Sequence, residues 1–260
     1  AVKEYKKVKI NQDFKPIGYF YHASLWMTLF HSGKGILPFL EKINLSLFIL
    51  ILIILFFFTF LIQKFRKTKT KMSVILSIGT TGMSEISFQI IVIFAFQFLY
   101  GYMYYRIGLI LTSFMIGLVL GAYFINRVLE KVDEKSFYLK TQIFICAYPL
   151  ILPIILILIA KTNITRPNIG GALQLSFAFL PIIAGFLGGI QFPLANKICL
   201  KGYEDVGKTT GLLYSVDLFG ACVGGILIGL LFVPILGIIQ TCVLLSVINL
   251  LVLILLKYTL

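Results

Sequence analysis

Long apolar runs alternate with short basic loops along most of the chain. The first run covers residues 44–63, and six more follow with the approximate limits Ser73–Leu99, Ile107–Ile125, Phe137–Ala160, Gly170–Ile198, Thr210–Leu236 and Ile238–Leu256. Each run is about as long as the ~20 residues that a helix needs to cross a bilayer. The pattern predicts an all-α integral membrane protein with about seven transmembrane helices, the last six of which form a bundle.

The composition favours the same class of protein. Of the 260 residues, 59% are hydrophobic and 13% are charged, which is outside the range of soluble globular domains. The net charge of +13 comes from basic clusters between the apolar runs, where inward-facing loops of membrane proteins concentrate such residues. We therefore expect the lipid bilayer, and no nucleic acid, as a partner. The four cysteines lie within or at the ends of apolar runs without a CxxC pair, which argues against a disulfide framework and a zinc site.

The distribution of lysine and arginine predicts the topology. The stretch KFRKTKTK (64–71) carries five positive charges, and further basic loops lie at 126–140 and 197–208. The loops between these hold only Arg106, Lys161 and Arg166. Because cytoplasmic loops carry the excess of Lys and Arg, we expect the loops at 64–71, 126–140 and 197–208 to be cytoplasmic in a multi-pass protein of the plasma (inner) membrane.

Residues 1–43 differ from the rest of the chain. They contain seven lysines and three acids, and the alternation around Val8 and Ile10 predicts a short strand. We expect a C-terminal tail of an upstream soluble domain and a juxtamembrane segment here, with an amphipathic helix over 19–30. Residues 44–71 then form a linking transmembrane helix and a basic loop, and residues 72–260 form a six-helix membrane domain. Since the chain opens AVKEYKK, without Met, we expect it to be the C-terminal part of a longer protein.

Glycines recur at matching intervals in two of the predicted helices. GLILTSFMIGLVLG (108–121) has the glycine spacing of GLLYSVDLFGACVG (211–224), which indicates a duplicated unit. The two stretches are the second members of successive triplets of spans, and an odd number of spans inverts the second copy. The sequence thus predicts a 3+3 inverted pseudo-repeat. Close helix packing is expected at glycines spaced by four, namely Gly117, Gly121, Gly185, Gly189, Gly220, Gly224, Gly225 and Gly229.

Four polar residues within the apolar runs are candidates for an intramembrane site. Glu85 and Asp217 are acids, and an acid at a helix centre normally faces a protein interior or a wet cavity because its insertion costs about 2.5–3.5 kcal/mol. Both are candidates for binding a cation or relaying a proton; alternatively, each lies near a span end and caps or hydrogen-bonds a neighbour. Gln97 and Gln191 suit helix-to-helix hydrogen bonding. Phe114 takes the place of Asp217 in the earlier glycine stretch, so the repeated packing does not require the acid.

Two further stretches have simpler explanations. GYEDVGKT (202–209) matches the phosphate-loop pattern GxxxxGK[ST], but it joins two predicted spans and lacks the preceding buried strand of a nucleotide site. Tyr100, Tyr102, Tyr104 and Tyr105 suit the aromatic belt at a membrane interface, or alternatively a cation cage for an amine. We expect no cofactor, no metal site and no catalytic residue in this chain.

Three stretches carry a family resemblance: AFQFLYGYMYYRIGLILTSFMIGLVLGA (95–122), GGIQFPLANKI (188–198) and GLLYSVDLFGACVGGILIG (211–229). They resemble the bacterial membrane-embedded spermidine synthase-like proteins, in which a major-facilitator-like domain is fused to a polyamine synthase domain. NQDFKPIGYFYHASLW (11–26) looks like the end of that synthase-like domain. The resemblance implies a major-facilitator-like bundle and an upstream aminopropyltransferase-like domain of the transferase class. The family's catalytic residues have no matching positions here, while Asp217 matches the acid of its tyrosine-x-x-aspartate helix.

The sequence leaves three functions open. The first is the membrane domain of a spermidine synthase-like fusion, which anchors or channels substrate for the upstream synthase-like domain. The second is a half-transporter of a cationic solute, such as a polyamine, or a proton-coupled carrier, which would work as a homodimer and depend on Glu85 and Asp217. The third is a purely structural membrane anchor.

Overall fold

The computed structural model describes residues 69–101, 104–165, 170–200 and 205–260, together with a few separate positions between 17 and 54. The continuous ranges are almost entirely helical. The helices are α1 (Lys69–Tyr100), α2 (Tyr104–Val128), α3 (Glu134–Thr165), α4 (Gly170–Cys199), α5 (Val206–Ile226), the short α6 (Val233–Leu236) and α7 (Ile238–Thr259).

Six stretches of these helices are long and apolar enough to cross a membrane: Thr70–Tyr100, Arg106–Val128, Glu134–Thr162, Ser176–Cys199, Val206–Leu236 and Ile238–Thr259. They correspond to the six runs predicted after residue 72, so the prediction of an all-helical, multi-pass membrane bundle is confirmed. The additional span predicted at 44–63 lies mostly outside the described residues. The strand predicted near Val8 and the helix predicted over 19–30 also fall almost wholly outside them.

Capping and a glycine mark helix boundaries. The side chain of Asp205 accepts a hydrogen bond from the backbone N–H of Gly207 at 3.0 Å and caps the start of α5, which satisfies a donor that has no partner within the helix. Gly237 has a φ of 88° and separates α6 from α7. Residues with a side chain rarely adopt this conformation, so the turn between the last two spans requires glycine.

The fifth span is not a regular α-helix throughout. Between α5 and α6 the backbone forms a π-helical segment, Leu227–Phe232, and the N–H of Val233 bonds to the carbonyl oxygen of Ile228. Pro234 follows in the first turn of α6 and has no N–H to donate to the preceding turn. The irregular hydrogen-bond pattern therefore coincides with a proline, a common cause of such breaks.

The helices pack in a paired arrangement. α2 lies along α4, α1 lies along α5, and α3 packs on α7. Within their most apolar windows, α2 buries 28% of its residues and the fifth span 33%, whereas each of the other four spans buries at least 50%. α2 and α5 therefore flank a central group of four helices.

Glycines bring α2 and α4 into backbone contact. A Cβ atom added at Gly117 or Gly121 of α2 would strike the carbonyl oxygen of Ile182 or Phe186 on α4. The predicted packing glycines of α4 meet α2 in the same way, with Gly185 against the carbonyl oxygen of Phe114 and Gly189 against that of Leu118. Glycine is needed at these positions because nothing larger fits between the two backbones.

The contact between α1 and α5 is built in the same manner. A Cβ atom added at Gly220 would strike the carbonyl oxygen of Gly79, and one added at Gly224 would lie 2.6 Å from the carbonyl oxygen of Met83. Gly82 of α1 meets the backbone of Asp217 in return. Both pairs run parallel, since contact positions rise together along the two helices.

The other two predicted packing glycines have ordinary surroundings. A Cβ atom at Gly225 would lie 3.6 Å from the Ile86 side chain, and one at Gly229 would lie 3.8 Å from the Ile90 side chain. These are normal van der Waals distances, so the backbones do not approach closely there. An alanine fits at both positions.

Candidate intramembrane cation site

Glu85 and Asp217 lie deep within their spans. Glu85 is at the centre of the 32-residue helix α1. Asp217 lies roughly 16 Å from the start of α5 at 1.5 Å per residue, about half the depth of a hydrocarbon core. α1 and α5 begin before the predicted span limits, at Lys69 and Val206. Neither acid is therefore at the end of its helix.

Both acids line one cavity of about 230 Å³ between α1, α2, α4 and α5. The hydroxyl-bearing residues Thr81 and Tyr214 also contribute to its wall. The remaining lining residues are apolar or glycine: Ile78, Leu118, Ala122, Gly188, Gly189, Phe192 and Pro193. The volume is below the ~300–1,000 Å³ of pockets for drug-sized molecules, so the cavity suits a small ligand.

Gly188 of α4 makes room for the carboxylate of Glu85. A Cβ atom added at Gly188 would coincide with the Oε1 oxygen of Glu85 and lie 2.5 Å from its carboxyl carbon. The carboxylate therefore lies against the backbone of α4. Glycine at this position determines how far Glu85 reaches across the cavity.

Pro193 leaves a carbonyl oxygen without its usual donor at the cavity wall. In a regular helix the N–H of residue 193 would bond to the carbonyl oxygen of Gly189, but proline has no N–H. Both residues line the cavity. The Gly189 oxygen therefore lacks its usual helical donor in the part of α4 that lines the cavity.

An aromatic pair forms another part of the wall. The rings of Phe192 and Tyr214 lie 6.4 Å apart, centroid to centroid, at an interplanar angle of 83°. Ring faces attract cations through their negative quadrupole. The pair adds an apolar surface that also tolerates positive charge, which suits an ammonium group.

The charge in the cavity is unbalanced. None of the described residues that line it is lysine, arginine or histidine. Two carboxylates in surroundings of low polarity repel each other strongly unless a positive charge or a proton neutralises them. A cationic ligand or a proton therefore supplies what the lining lacks.

A buried hydrogen-bond network adjoins the cavity at Thr81. The Thr81 hydroxyl lies 2.9 Å from the side-chain oxygen of Gln191, to which it donates. The amide nitrogen of Gln191 donates to Ser77 Oγ at 3.1 Å, and the Tyr138 hydroxyl donates to the same atom at 3.0 Å. The other members are Ser84, Gln142 and Asn249. All are buried, so the network ties α1, α3, α4 and α7 together beside the cavity.

The structure separates the four predicted polar candidates. It brings Glu85 and Asp217 to one cavity, whereas Gln191 is one hydrogen bond away, behind Thr81. Gln97 lies on α1, roughly 18 Å along the helix from Glu85 at 1.5 Å per residue. Gln97 is therefore not part of the cavity.

Sequence reasoning missed several cavity residues. Thr81 precedes Glu85 by four positions and Tyr214 precedes Asp217 by three, spacings that place each pair on one helix face. This signal was sufficient to add both hydroxyl groups to the predicted site. Gly188 and Phe192 come from another helix, and no local pattern links them to the acids.

The tyrosine cluster predicted near one membrane interface is only partly described. Tyr100 packs against the rings of Phe96 and Phe177, with centroids 5.2 and 5.9 Å away. Tyr102 lies outside the described residues. The aromatic belt and the cation cage both stay predictions.

Comparisons with protein-family models, with curated proteins and with solved structures each found no match to this chain. The resemblance to spermidine synthase-like proteins stays a prediction that rests on the three sequence stretches that carry it.

Proposed function

We propose that the six-helix bundle is a membrane domain that binds a small cationic solute, or a proton in its place, between Glu85 and Asp217. The observation that supports this most strongly is the shared cavity, in which acids from two helices meet at mid-depth without a basic residue among the described lining. A binding or transport role explains why the chain keeps groups that are expensive inside a membrane.

A purely structural anchor accounts less well for these residues. The α2–α4 contact has Phe114 where the α1–α5 contact has Asp217, and both contacts pack through glycines. Packing of this kind therefore works without an acid. The Asp217 side chain lies against Gly82 in the helix contact and also lines the cavity, and only the cavity gives its charge a role.

We also propose the 3+3 inverted pseudo-repeat, with α1–α3 as one copy and the spans from α4 onward as the other. One constant sequence offset relates the contacts in the two parallel pairs. A residue of α1 or α2 corresponds to the residue at this offset further along the chain, in α4 or α5. The contact of Gly117 with Ile182 thus corresponds to that of Gly220 with Gly79, and the contact of Gly121 with Phe186 to that of Gly224 with Met83. The contact of Gly185 with Phe114 likewise corresponds to that of Gly82 with Asp217. The flanking helices α2 and α5 are counterparts as well, and they are the two least buried spans.

The proposed symmetry places the cation site where transporter folds carry theirs. The same offset makes Glu85 and Gly188 counterparts of each other, and these two residues are in contact. Mutual counterparts touch only beside a pseudo-twofold axis. Sites near the bilayer midplane at the interface between repeats are typical of inverted-repeat transporters.

Orientation and substrate follow as parts of the same proposal. Because cytoplasmic loops carry the excess of Lys and Arg, we assign the loops at 64–71, 126–140 and 197–208 to the cytoplasmic side of the plasma (inner) membrane. Two carboxylates beside an aromatic pair suit an organic ammonium ion, which is consistent with the polyamine that the family resemblance implies. In a spermidine synthase-like fusion, this domain would hold or channel the amine for an upstream synthase-like domain; alone, it would be a half-transporter acting as a homodimer.

Calorimetric titration of purified protein with 1,4-diaminobutane tests the binding proposal. We expect saturable binding to the wild type and a loss of at least about tenfold in affinity in Glu85→Gln and in Asp217→Asn, since each removes one charge-assisted contact. Glu130→Gln, which neutralises an exposed acid, is the matched control and should bind like the wild type. Equal affinity in the wild type and the double variant Glu85→Gln/Asp217→Asn would contradict the proposal.

Uptake into proteoliposomes separates a carrier from a binding domain. A half-transporter should accumulate labelled diamine in vesicles, and the double variant should not. Binding without uptake would favour the role of holding substrate for another domain.

A further inference from the structure

The groove between α1 and α5 contains two cavities apart from the cation site. One, of about 370 Å³, lies at the helix ends that carry Lys71 and Lys208, and it is also lined by Asp205, Thr209 and Leu212. The other, of about 260 Å³, is lined almost entirely by apolar atoms. We refer to them as the basic cavity and the apolar cavity.

The two cavities follow each other along one groove. Residues four apart lie one above the other on a helix face, and Lys71 is followed at this spacing by Ile75 and Gly79 of the apolar cavity. On α5, Lys208 is followed in the same way by Leu212 and Val216. The groove runs roughly 18 Å along α1, from Lys71 to Met83 at 1.5 Å per residue.

The basic cavity offers positive charge beside a hydroxyl group. Lys71 and Lys208 contribute ammonium groups from two helices, and Thr209 adds a hydroxyl. Asp205 also lines the cavity, and its Oδ1 accepts the N–H of Gly207 as the cap of α5. Its negative charge offsets one of the two lysines, so the lining keeps an excess of positive charge. In the sequence, four further basic residues precede Lys71 within the stretch KFRKTKTK. The chemistry is that of a phosphate site next to a membrane surface.

The apolar cavity has the shape and surface that a hydrocarbon chain requires. Gly79 and Gly220 form its floor without side chains, and Met83, Val216 and Phe219 contribute its walls. Phe219 is 71% exposed and therefore stands at the rim. The lining of this cavity continues along the faces of α1 and α5 that carry the two lysines, which suits an unbranched chain.

We propose that this groove binds an anionic phospholipid, with its phosphate against Lys71 and Lys208 and one acyl chain in the apolar cavity. Charge complementarity at one end and an apolar channel of acyl-chain length behind it favour a lipid over a neutral helix. The cation site on another face of α1 and α5 cannot take this ligand, because its two carboxylates would repel a phosphate. The proposal also explains Lys208 and Thr209 of the phosphate-loop-like stretch without invoking a nucleotide.

Quenching of a tryptophan by brominated lipids tests the proposal on the full chain. Phe219→Trp places a reporter at the groove, and Trp26, the one native tryptophan, is replaced by Phe. Phe144→Trp on α3, also an exposed position, is the matched control. In vesicles of phosphatidylcholine with brominated phosphatidylglycerol, we expect the anionic lipid to be enriched several-fold beside Trp at 219 and not beside Trp at 144.

Lysine variants identify the source of that enrichment. Since a lysine near a membrane surface contributes about fivefold to anionic-lipid binding, Lys71→Gln/Lys208→Gln should abolish the preference at position 219. Lys131→Gln/Lys140→Gln removes the same charge from exposed positions and should leave it unchanged. Equal losses in the two double variants would overturn the site in favour of diffuse surface attraction.

Two other occupants of the groove would give different results. If the predicted span at 44–63 or a second copy of the chain fills it, Trp at 219 will be shielded from all brominated lipids relative to Trp at 144. Equal quenching by brominated phosphatidylcholine and phosphatidylglycerol would mean a bulk-lipid surface. Each of these outcomes rejects the proposal.

Discussion

The α1–α5 and α2–α4 contacts are built alike and carry different chemistry. In both, glycines four residues apart let two parallel helices touch through their backbones. At corresponding positions, however, the α2–α4 contact has the buried Phe114 and the α1–α5 contact has Asp217, which faces a cavity. The packing therefore does not depend on an acid, which leaves the Asp217 carboxylate for the proposed cation site.

The strongest test of this comparison gives the α1–α5 contact the phenylalanine that the α2–α4 contact has at the corresponding position. In Asp217→Phe we expect diamine affinity to fall at least about 100-fold, or ~2.7 kcal/mol, because the carboxylate contact is lost. Calorimetric titration measures the affinity. Asp217→Asn, which is nearly isosteric, controls for overpacking of the larger ring. Binding within twofold of the wild type in both variants would mean that the acid does not serve the cavity.

Equal losses of stability on replacing corresponding glycines by alanine would support the equivalence of the two helix contacts. Gly220→Ala and Gly117→Ala each place a methyl group on an opposing carbonyl oxygen, so each should lower the free energy of unfolding by about 1–3 kcal/mol. Gly225→Ala, whose methyl group meets only ordinary contacts, should change it by less than about 0.5 kcal/mol. Reversible unfolding in detergent provides the values. A large cost at Gly117 with none at Gly220 would break the equivalence of the two contacts.

The sequence predicts the helices better than their contacts. Apolar length alone identifies the six described spans, although each helix starts before its predicted limit or at it, since polar residues such as Lys69 and Glu134 continue the first turns. Glycine spacing does not say which face of a helix meets a neighbour. The same spacing therefore marks Gly220, where the backbones approach closely, and Gly225 and Gly229, where a Cβ atom would meet ordinary contacts.

Site prediction has a similar limit. Glu85 and Asp217 are recognisable because charge is costly inside a membrane, but their meeting in one cavity depends on how four helices cross. The cavity residue Gly188 carries no chemical group that a pattern could detect. Gln191 and Gln97 look alike in sequence, yet only Gln191 is connected to the cavity, through Thr81.

A smaller effect is expected where a substitution moves the carboxylate without removing it. In Gly188→Ala the new methyl group would displace the flexible Glu85 side chain, and we expect about tenfold weaker diamine binding, or ~1.4 kcal/mol. The free energy of unfolding should change by less than about 1 kcal/mol, because no backbone has to move. In Gly189→Ala the new methyl group would strike the Leu118 carbonyl oxygen. This variant should therefore lower the free energy of unfolding more than it weakens diamine binding. Calorimetric titration and reversible unfolding of both variants measure these changes. Equal changes in affinity and in stability for Gly188→Ala and Gly189→Ala would contradict the role assigned to Gly188.

The smallest effect is expected at Gln97. Gln97 does not line the cavity and lies far from it along α1, so Gln97→Leu should bind diamine within about twofold of the wild type. Gln191→Leu is the informative partner, because it removes the acceptor of the Thr81 hydroxyl and the donor to the Ser77 and Gln142 side chains. It should cost about 1–3 kcal/mol of stability. A loss of affinity in Gln97→Leu that matches that of Asp217→Asn would place the binding site elsewhere in the bundle.

The central claim is that a cation contacts the carboxylates of Glu85 and Asp217, and infrared difference spectroscopy observes those groups directly. Spectra of reconstituted protein with and without 1,4-diaminobutane should contain carboxyl bands that change on binding. Part of this signal should disappear in Glu85→Gln, part in Asp217→Asn, and all of it in the double variant, while Glu130→Gln keeps it. A difference spectrum without carboxyl bands, or one that the double variant leaves intact, would contradict the account.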